Sequence, residues 1–319
     1  MDRYPLMWLF PALQRDGLRG FGIHAAGRSA AQAFRMLLEG RPAADAPGLL
    51  PSSSAVSRSA QPAIARKWTA GLEYGLSPDT RLTLQAAWTR AWRLPRKRNA
   101  AFGLPPRYLL ESDARSDFRG LSISLNRRLS GDFALLASYD LGRVWDDGSD
   151  FDEALSNPAD ARADWARSRL CQKHRVSASA LIELPSPPRR GLARRLLGGW
   201  NLTPAFVAAS GRPINFLLAT DAGRTGAFPI SARPPGVGRN PFFMRGAVQF
   251  DARLMKTVYV IENRARLQFG VESFNLLNRT NPATVSEYGM AGGARLASYG
   301  RIAESMPARQ VQFFMQFEY

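Results

Sequence analysis

RQVQFFMQFEY, residues 309–319, places Val311, Phe313, Met315, Phe317 and Tyr319 at every second position. Gln310, Gln312, Gln316 and Glu318 occupy the other phase, with Phe314 the one exception. Successive side chains of an extended strand point to opposite faces, so this alternation predicts a strand with one oily and one wet surface. An edge strand of a soluble sandwich reads the same way, so the decision falls to the segments upstream.

Working back from the terminus, the same period recurs. Asn263–Leu276 sets Ala265, Leu267, Phe269 and Val271 against Arg264, Arg266, Gln268 and Glu272. Ala247–Val260 sets Val248, Phe250, Ala252 and Leu254 against Gln249, Asp251 and Arg253. Gly199–Ser210 is weaker, because Pro204 in its middle has no N–H for a ladder. Gln172–Leu184, Asp132–Trp145, Phe118–Leu129, Thr80–Trp92 and Ile64–Leu76 complete nine predicted strands, most with one apolar phase. The regular part is therefore expected over 62–319. Residues 1–61 read as an ill-defined segment, with helical character at Ala30–Leu38, a further candidate strand at Gly17–Ala26, and a Pro/Ser/Ala-rich connector at Arg41–Pro62.

The connections discriminate better than the strands. Leu76–Thr80, Leu129–Asp132 and Ile261–Asn263 are tight, with Ser77-Pro78-Asp79 and Ser130-Gly131 supplying turn chemistry. Arg93–Asp117, Asp146–Cys171, Gly211–Gly246 and Arg279–Ala308 are long, and Pro185–Gly198 is intermediate. Short and long connections alternate, so every tight turn falls at one end of the sheet. A soluble meander has no reason to sort its loops this way. The pattern predicts an all-β fold, an antiparallel outer-membrane β-barrel with short periplasmic turns and long extracellular loops, of which about nine strands are visible. Bacterial barrels close with an even count, so a partial barrel belonging to a longer protein is expected.

With Tyr319 in the periplasm, Trp68, Trp92 and Trp145 fall at outer strand ends. Tyr74, Phe133, Trp200 and Tyr259 then fall at inner ones, giving two candidate aromatic girdles. Lys256 and Arg90 share the oily phase, where a cation at mid-bilayer depth costs ~2–4 kcal/mol. Both lie near a strand end, where a long side chain can snorkel to water.

Composition bounds the alternatives. The chain has 319 residues and 45% hydrophobic content, enough for a folded domain. Mean hydropathy is negative and no long apolar run occurs, which excludes a transmembrane helix but not a barrel, whose strands need only ~9–11 residues. A single Cys171 excludes an internal disulfide framework and a cysteine-built zinc site. The net charge of +17 fits nucleic-acid binding, a polar lumen with loops facing lipopolysaccharide phosphates, or an arginine-rich coding bias; the arginines are scattered rather than striped. No secretory signal opens the chain, since Asp2 and two prolines interrupt Tyr4–Leu13, which predicts a segment upstream.

Several segments, taken in order, resemble the C-terminal barrel of TonB-dependent receptors, in particular the Oar-like group. They include Ile123–Leu129 before Phe133–Tyr139, Asp146-Asp147-Gly148-Ser149-Asp150 with Asn157-Pro158, His174-Arg175-Val176, Gly199-Trp200 and Ser210-Gly211-Arg212-Pro213. Gly238-Arg239-Asn240, Phe250–Lys256, Glu272–Asn281 and Ala308-Arg309-Gln310 complete the series. The resemblance covers 62–319 and implies uptake of bulky solutes, with polar lumen residues guiding solute and outer loops capturing it. The implied partners are the lipid bilayer and lipopolysaccharide, the barrel assembly machinery reading Val311, Phe313, Met315, Phe317 and Tyr319, and TonB through a plug that is not visible in this sequence. No enzyme activity, cofactor or nucleic-acid partner is implied. A structural or adhesive surface barrel without transport is the alternative.

Candidate chemistry is sparse. Asp146, Asp147, Asp150, Asp152 and Glu153 crowd the start of a predicted outer loop without EF-hand spacing, and a solvated acidic loop is expected rather than a calcium site. His24 and His174 are the only histidines, so no His-built metal site or catalytic triad is expected, and His174 reads as a hydrogen-bonding residue at a strand start. Arg93–Arg98 and Arg189–Arg195 lack the interleaved aromatics of a single-strand binder and read as solvated charge.

Overall fold

The computed structural model describes residues 22–24, 35–36, 38–39, 50–102, 106–150, 153–188, 191–220, 223, 225–227, 231–261 and 265–319. It is almost entirely β. Nine strands form an antiparallel meander in which each pairs with its neighbours in sequence. They are β1 (Ile64–Ser77), β2 (Thr80–Asn99), β3 (Arg107–Ser130), β4 (Phe133–Asp146), β5 (His174–Glu183), β6 (Trp200–Ala209), β7 (Ala247–Ile261), β8 (Ala265–Phe274) and β9 (Gln310–Glu318). One short helix, α1 (Leu192–Leu197), lies in the β5–β6 connection. The edges β1 and β9 each pair on one side only among the described residues, so the barrel is open.

Register carries the apolar phase from strand to strand. Leu72, Leu84, Ile123, Tyr139 and Val176 stand opposite one another across β1–β5. Leu202, Leu254, Val271 and Phe313 do the same across β6–β9. The other phase aligns Gln85, Ser122, Asp140 and Arg175, and further along Arg253, Glu272 and Gln312. Because a one-residue slip would move every oily side chain to the wet face, the pattern itself fixes the pairing.

The ends are sorted as expected. The turns after β1 and β3 and the connection between β5 and β6 lie at one end, with Gly131 taking φ +63° in the Ser130–Phe133 turn. Arg266 pairs with Glu318, so the β9 terminus shares that end with the β7–β8 connection. Residues 262–264 of that connection lie outside the described residues, as do most of the expected Ala30–Leu38 helix and Gly17–Ala26 strand.

Two expectations need correction, and one exception gains a cause. The segment Arg93–Asp117, expected as a long loop, is mostly strand, because β2 runs on to Asn99 and β3 begins at Arg107. A bulge between Ala91 and Leu94, where Arg93 takes φ +57°, resets the register, and cross-strand ion pairs replace apolar alternation beyond it. At 20 and 24 residues these strands exceed what a bilayer requires and project beyond it. Leu50–Val56, in the expected connector, pairs in parallel with Arg107–Leu110 on that projection.

The exception is Phe314. It breaks the alternation because it crosses Gly270 on the inward face, where a Cβ would collide with the Leu254 carbonyl oxygen and lie 2.9 Å from the Phe314 ring. The Arg253 guanidinium sits 4.1 Å from the same ring.

Lys256 is the second correction. It keeps to the oily phase without snorkelling: it is 5% exposed, and Nζ donates to the carbonyls of Leu196 (3.0 Å) and Gly198 (2.6 Å) at the end of α1. The Trp200 ring lies 5.1 Å from Nζ. Pro204 costs β6 locally, since its pairing with β5 passes from Ala205 to Leu202 without a register partner between.

Candidate functional site

The first candidate surface is the outward belt. Phe313, Met315 and Tyr319 are 83%, 76% and 91% exposed, an arrangement that water would strongly disfavour. With Val311 and Phe317 they form the oily row of β9 as expected. Near the long-loop end, Trp68 stacks on Trp88 at 4.8 Å, Trp92 stands opposite Ile64, and Trp145 stands opposite Asp117 and Arg167. Trp88 was not among the expected girdle residues; its indole Nε1 donates to Asp117 Oδ2 at 2.9 Å.

Near the tight-turn end, Tyr74 stands opposite Leu82, the Arg127 guanidinium lies 5.5 Å from the Phe133 ring, and the Trp200 Nε1 donates to the Leu196 carbonyl. Tyr259 pairs with Arg266, which puts it on the polar phase just before a register shift. His174 accepts or donates a 2.8 Å hydrogen bond with Tyr139, in keeping with its expected role.

The second candidate surface is built from the long loops at the other end, which condense into a polar cap. Arg239 is its centre and is 3% exposed. Its Nε and Nη2 donate to Glu153 at 2.7 and 3.0 Å, Nη1 donates to Asp146 Oδ1 at 2.6 Å, and Nη2 also donates to Ser149 Oγ at 2.6 Å. Burial opposes ionisation of Glu153, but the charge and hydrogen bonds of Arg239 outweigh it and hold the carboxyl below the usual range. The same pairing, working against burial, raises the Arg239 value.

Beside it, Asp147 accepts from the Arg115 backbone N–H at 2.6 Å, and Arg96 pairs with Asp113 at 2.5 Å. Arg98 binds Glu111 at 2.5 Å, and this hydrogen bond raises its pKa. Arg233 closes a further pair with Asp164.

Asp146, Asp147 and Glu153 are thus buried and paired, not a solvated loop; Asp150 is exposed, and Asp152 lies outside the described residues. Arg96, expected in solvated charge, is also buried. Arg194 and Arg195 are exposed on α1, while Arg189 and Arg190 lie outside the described residues. No group of three or more His, Cys, Asp or Glu residues is placed to hold a metal among the described residues.

Asparagines fasten the cap to the strands. Asn281 Oδ1 accepts from the Val248 N–H at 2.9 Å and its Nδ2 donates to the Val248 carbonyl at 2.8 Å. Asn275 donates to the Arg279 carbonyl, and Asn215 Oδ1 accepts from the Asn240 N–H. Between the loops lies a cleft of about 660 Å³ lined by Arg169, Arg212, Ile214, Glu287 and Tyr288 among others. Arg169 pairs with Glu287 at 2.5 Å across it. Nearby, Tyr299 donates to the Asn215 carbonyl at 3.1 Å, and burial together with Glu287 pushes its phenol up to about 12.

A family profile described as "outer membrane beta barrel domain" matches residues 25–238 and 234–312. The chain belongs to this family. The barrel domain is located in the cell outer membrane. In fold it is similar to the outer membrane transporter YddB from Escherichia coli, with a TM-score of 0.53 and 9% identity over 83% of this chain and 34% of that one. It is also similar to the FrpB iron transporter from Neisseria meningitidis, with a TM-score of 0.50 and 9% identity over 84% and 33%. The barrel domain thus spans a third of the length of these transporters. No curated protein matches it in sequence.

Proposed function

We propose that this barrel domain is the C-terminal barrel part of a TonB-dependent receptor of the Oar-like group, and that it serves uptake of bulky solutes. The observation that carries the reading is the gathering of three long connections and the projecting ends of β2 and β3 into a polar cap around a cleft, at the end opposite the tight turns. A barrel that served only as a membrane anchor would have no use for a buried ionic frame around an open, mixed-polarity cleft. The resemblance of the ordered motifs and the fold shared with two outer-membrane transporters support the same reading.

In this account 62–319 is the barrel unit and its lumen phase, with Gln85, Ser122, Asp140 and Arg175, lines the solute path. The cap captures solute, and movement across the membrane draws on TonB through a plug elsewhere in the parent receptor. Val311, Phe313, Met315, Phe317 and Tyr319 form the signal read by the barrel assembly machinery. Trp68, Trp92, Trp145, Tyr74 and Trp200 contribute to the two interfacial girdles, with lipopolysaccharide outside, whereas Tyr259 stands on the polar phase. Asp146, Asp147 and Glu153 act as clamps for Arg239 and Arg115 rather than as calcium ligands. The domain supplies no enzyme chemistry.

The test compares the solutes removed from the medium by three strains: wild type, one deleted for this gene, and one deleted for TonB. A solute whose uptake falls to the same extent in both deletions is the expected result. An unchanged uptake profile with loss of surface attachment would replace transport by adhesion.

A further inference from the structure

On the outward face, two neighbouring register rows at the long-loop end bring arginines and tryptophans together. One row aligns Arg66, Arg90, Asp117, Trp145 and Arg167; the next aligns Trp68, Trp88, Arg119 and Arg143. Five guanidinium groups therefore share this band with one carboxylate. That carboxylate is already engaged, because Asp117 accepts from Trp88 Nε1 at 2.9 Å and from Arg119 Nε at 3.0 Å. Arg66, Arg90, Arg143 and Arg167 have no carboxylate partner among the described residues.

Aromatic rings lie against four of the five guanidinium groups. Arg119 lies 5.5 Å from the Trp88 ring, Arg143 5.0 Å from Trp145, Arg66 5.3 Å from Trp92 and Arg167 5.2 Å from Phe243. Stacking restrains each planar fork but leaves its N–H edge free, as bidentate binding of an anion requires. Toward the bilayer centre the next row is Ala70, Ala86, Leu121 and Leu141. With Trp68 and Trp88 these apolar residues line a depression of about 1040 Å³ whose lining also includes Arg119, Arg143, Arg167 and Lys173.

Uncompensated like charges at this spacing repel one another, most strongly where lipid lowers the local dielectric. A ligand with more than one phosphate and an attached acyl chain would neutralise the band and fill the apolar depression together. Water-soluble anions satisfy only the first demand. In the membrane orientation proposed above, the band falls at the height of the outer-leaflet headgroups, one row beyond the oily residues Ala70, Ala86, Leu121 and Leu141.

We propose that this band binds a phosphorylated glycolipid of the outer leaflet, lipopolysaccharide. Its phosphates are held by Arg119, Arg143 and the arginines of the neighbouring row, and an acyl chain lies over Ala70, Ala86 and Leu121. The proposal rests on the membrane orientation given above and not on transport.

The experiment inserts the full chain into phosphatidylcholine nanodiscs, where insertion is scored separately by resistance to protease and by heat-dependent gel migration. Co-purification of added lipopolysaccharide is then titrated. Wild type should retain it at least tenfold more tightly than Arg119→Gln/Arg143→Gln, while Arg295→Gln, in an exposed loop, should match wild type. Arg167→Gln, in a two-residue ladder, gives a milder loss should the double variant not insert. Dephosphorylated lipopolysaccharide should bind at least tenfold more weakly, and millimolar inorganic phosphate should not compete. Equal retention by inserted wild type and variants, equal binding of the dephosphorylated lipid, or competition by inorganic phosphate would overturn the site. Failure of wild type to insert would instead overturn the membrane orientation and the site with it.

Discussion

Phe313 and Arg239 stand in each other's usual places: the phenylalanine is 83% exposed and the guanidinium residue 3%. The belt that holds Phe313 is oily outside, and its backbone groups pair within the ladder except along the open edges of β1 and β9, so each outward side chain needs only an apolar solvent. The cap that holds Arg239 has long connections with little ladder of their own. It is held by charge pairs and by side chains that bond backbone groups, each needing a specific partner. This chain obeys two solvents. Lipid selects the outward residues by type, whereas the cap, excluding water at the aqueous end, selects its residues by pairing.

The largest expected effect breaks the cap alone. Arg239→Met strands Glu153 and Asp146 as buried carboxylates, a loss of about 3–5 kcal/mol for a broken buried pair. Hydrogen exchange should show residues 146–150 losing protection by about 100-fold or more, at roughly tenfold per 1.4 kcal/mol, while β8 and β9 keep theirs. Equal loss across the sheet would mean that the cap and the belt are one cooperative unit.

The next effect breaks the belt alone. Ile123→Arg places a cation on the outward phase midway along the spanning part of β3 and should cost about 2–4 kcal/mol in bilayer folding titrations. Ser124→Arg, one residue on and facing the lumen, should cost well under half of that. Equal costs would show that the two faces share one solvent.

The smallest effect is a pH dependence confined to the cap. The Glu153 carboxyl is held below its ordinary value, so its stabilisation is complete above about 4.3 and is lost as the pH falls from there through the folded value. Exchange protection around residues 146–150 should therefore be flat from pH 7 to 5 and decline below about 4, with no matching decline in β8 and β9.

The same contrast explains what the sequence revealed. All nine strands were legible because lipid imposes a period of two on Leu72, Leu84, Phe313 and their neighbours without help from distant residues. The projecting parts of β2 and β3 were not, because beyond Arg93 the pairing rests on Arg96–Asp113 and Arg98–Glu111, whose partners follow no period. The acidic cluster was visible as composition, but its burial depends on Arg239, 86 residues beyond Glu153. One signal was present: the motifs that carried the family resemblance contain Asn240, Asn275 and Asn278, each with φ +50°. Asparagine tolerates that backbone, and such positions mark places where a loop is fastened. Phe314 was legible only as an exception, since its partner Gly270 sits on another strand.

The central claim is that hydrocarbon covers the oily phase. Cys171→Ser followed by single cysteines at positions 312 to 317 of β9, labelled with a fluorophore in the bilayer-inserted full chain, tests it most directly. Alternation is expected, with positions 313, 315 and 317 quenched by brominated lipid and positions 312, 314 and 316 quenched by aqueous iodide. Quenching by iodide at all six positions, or no alternation between the two quenchers, would contradict it.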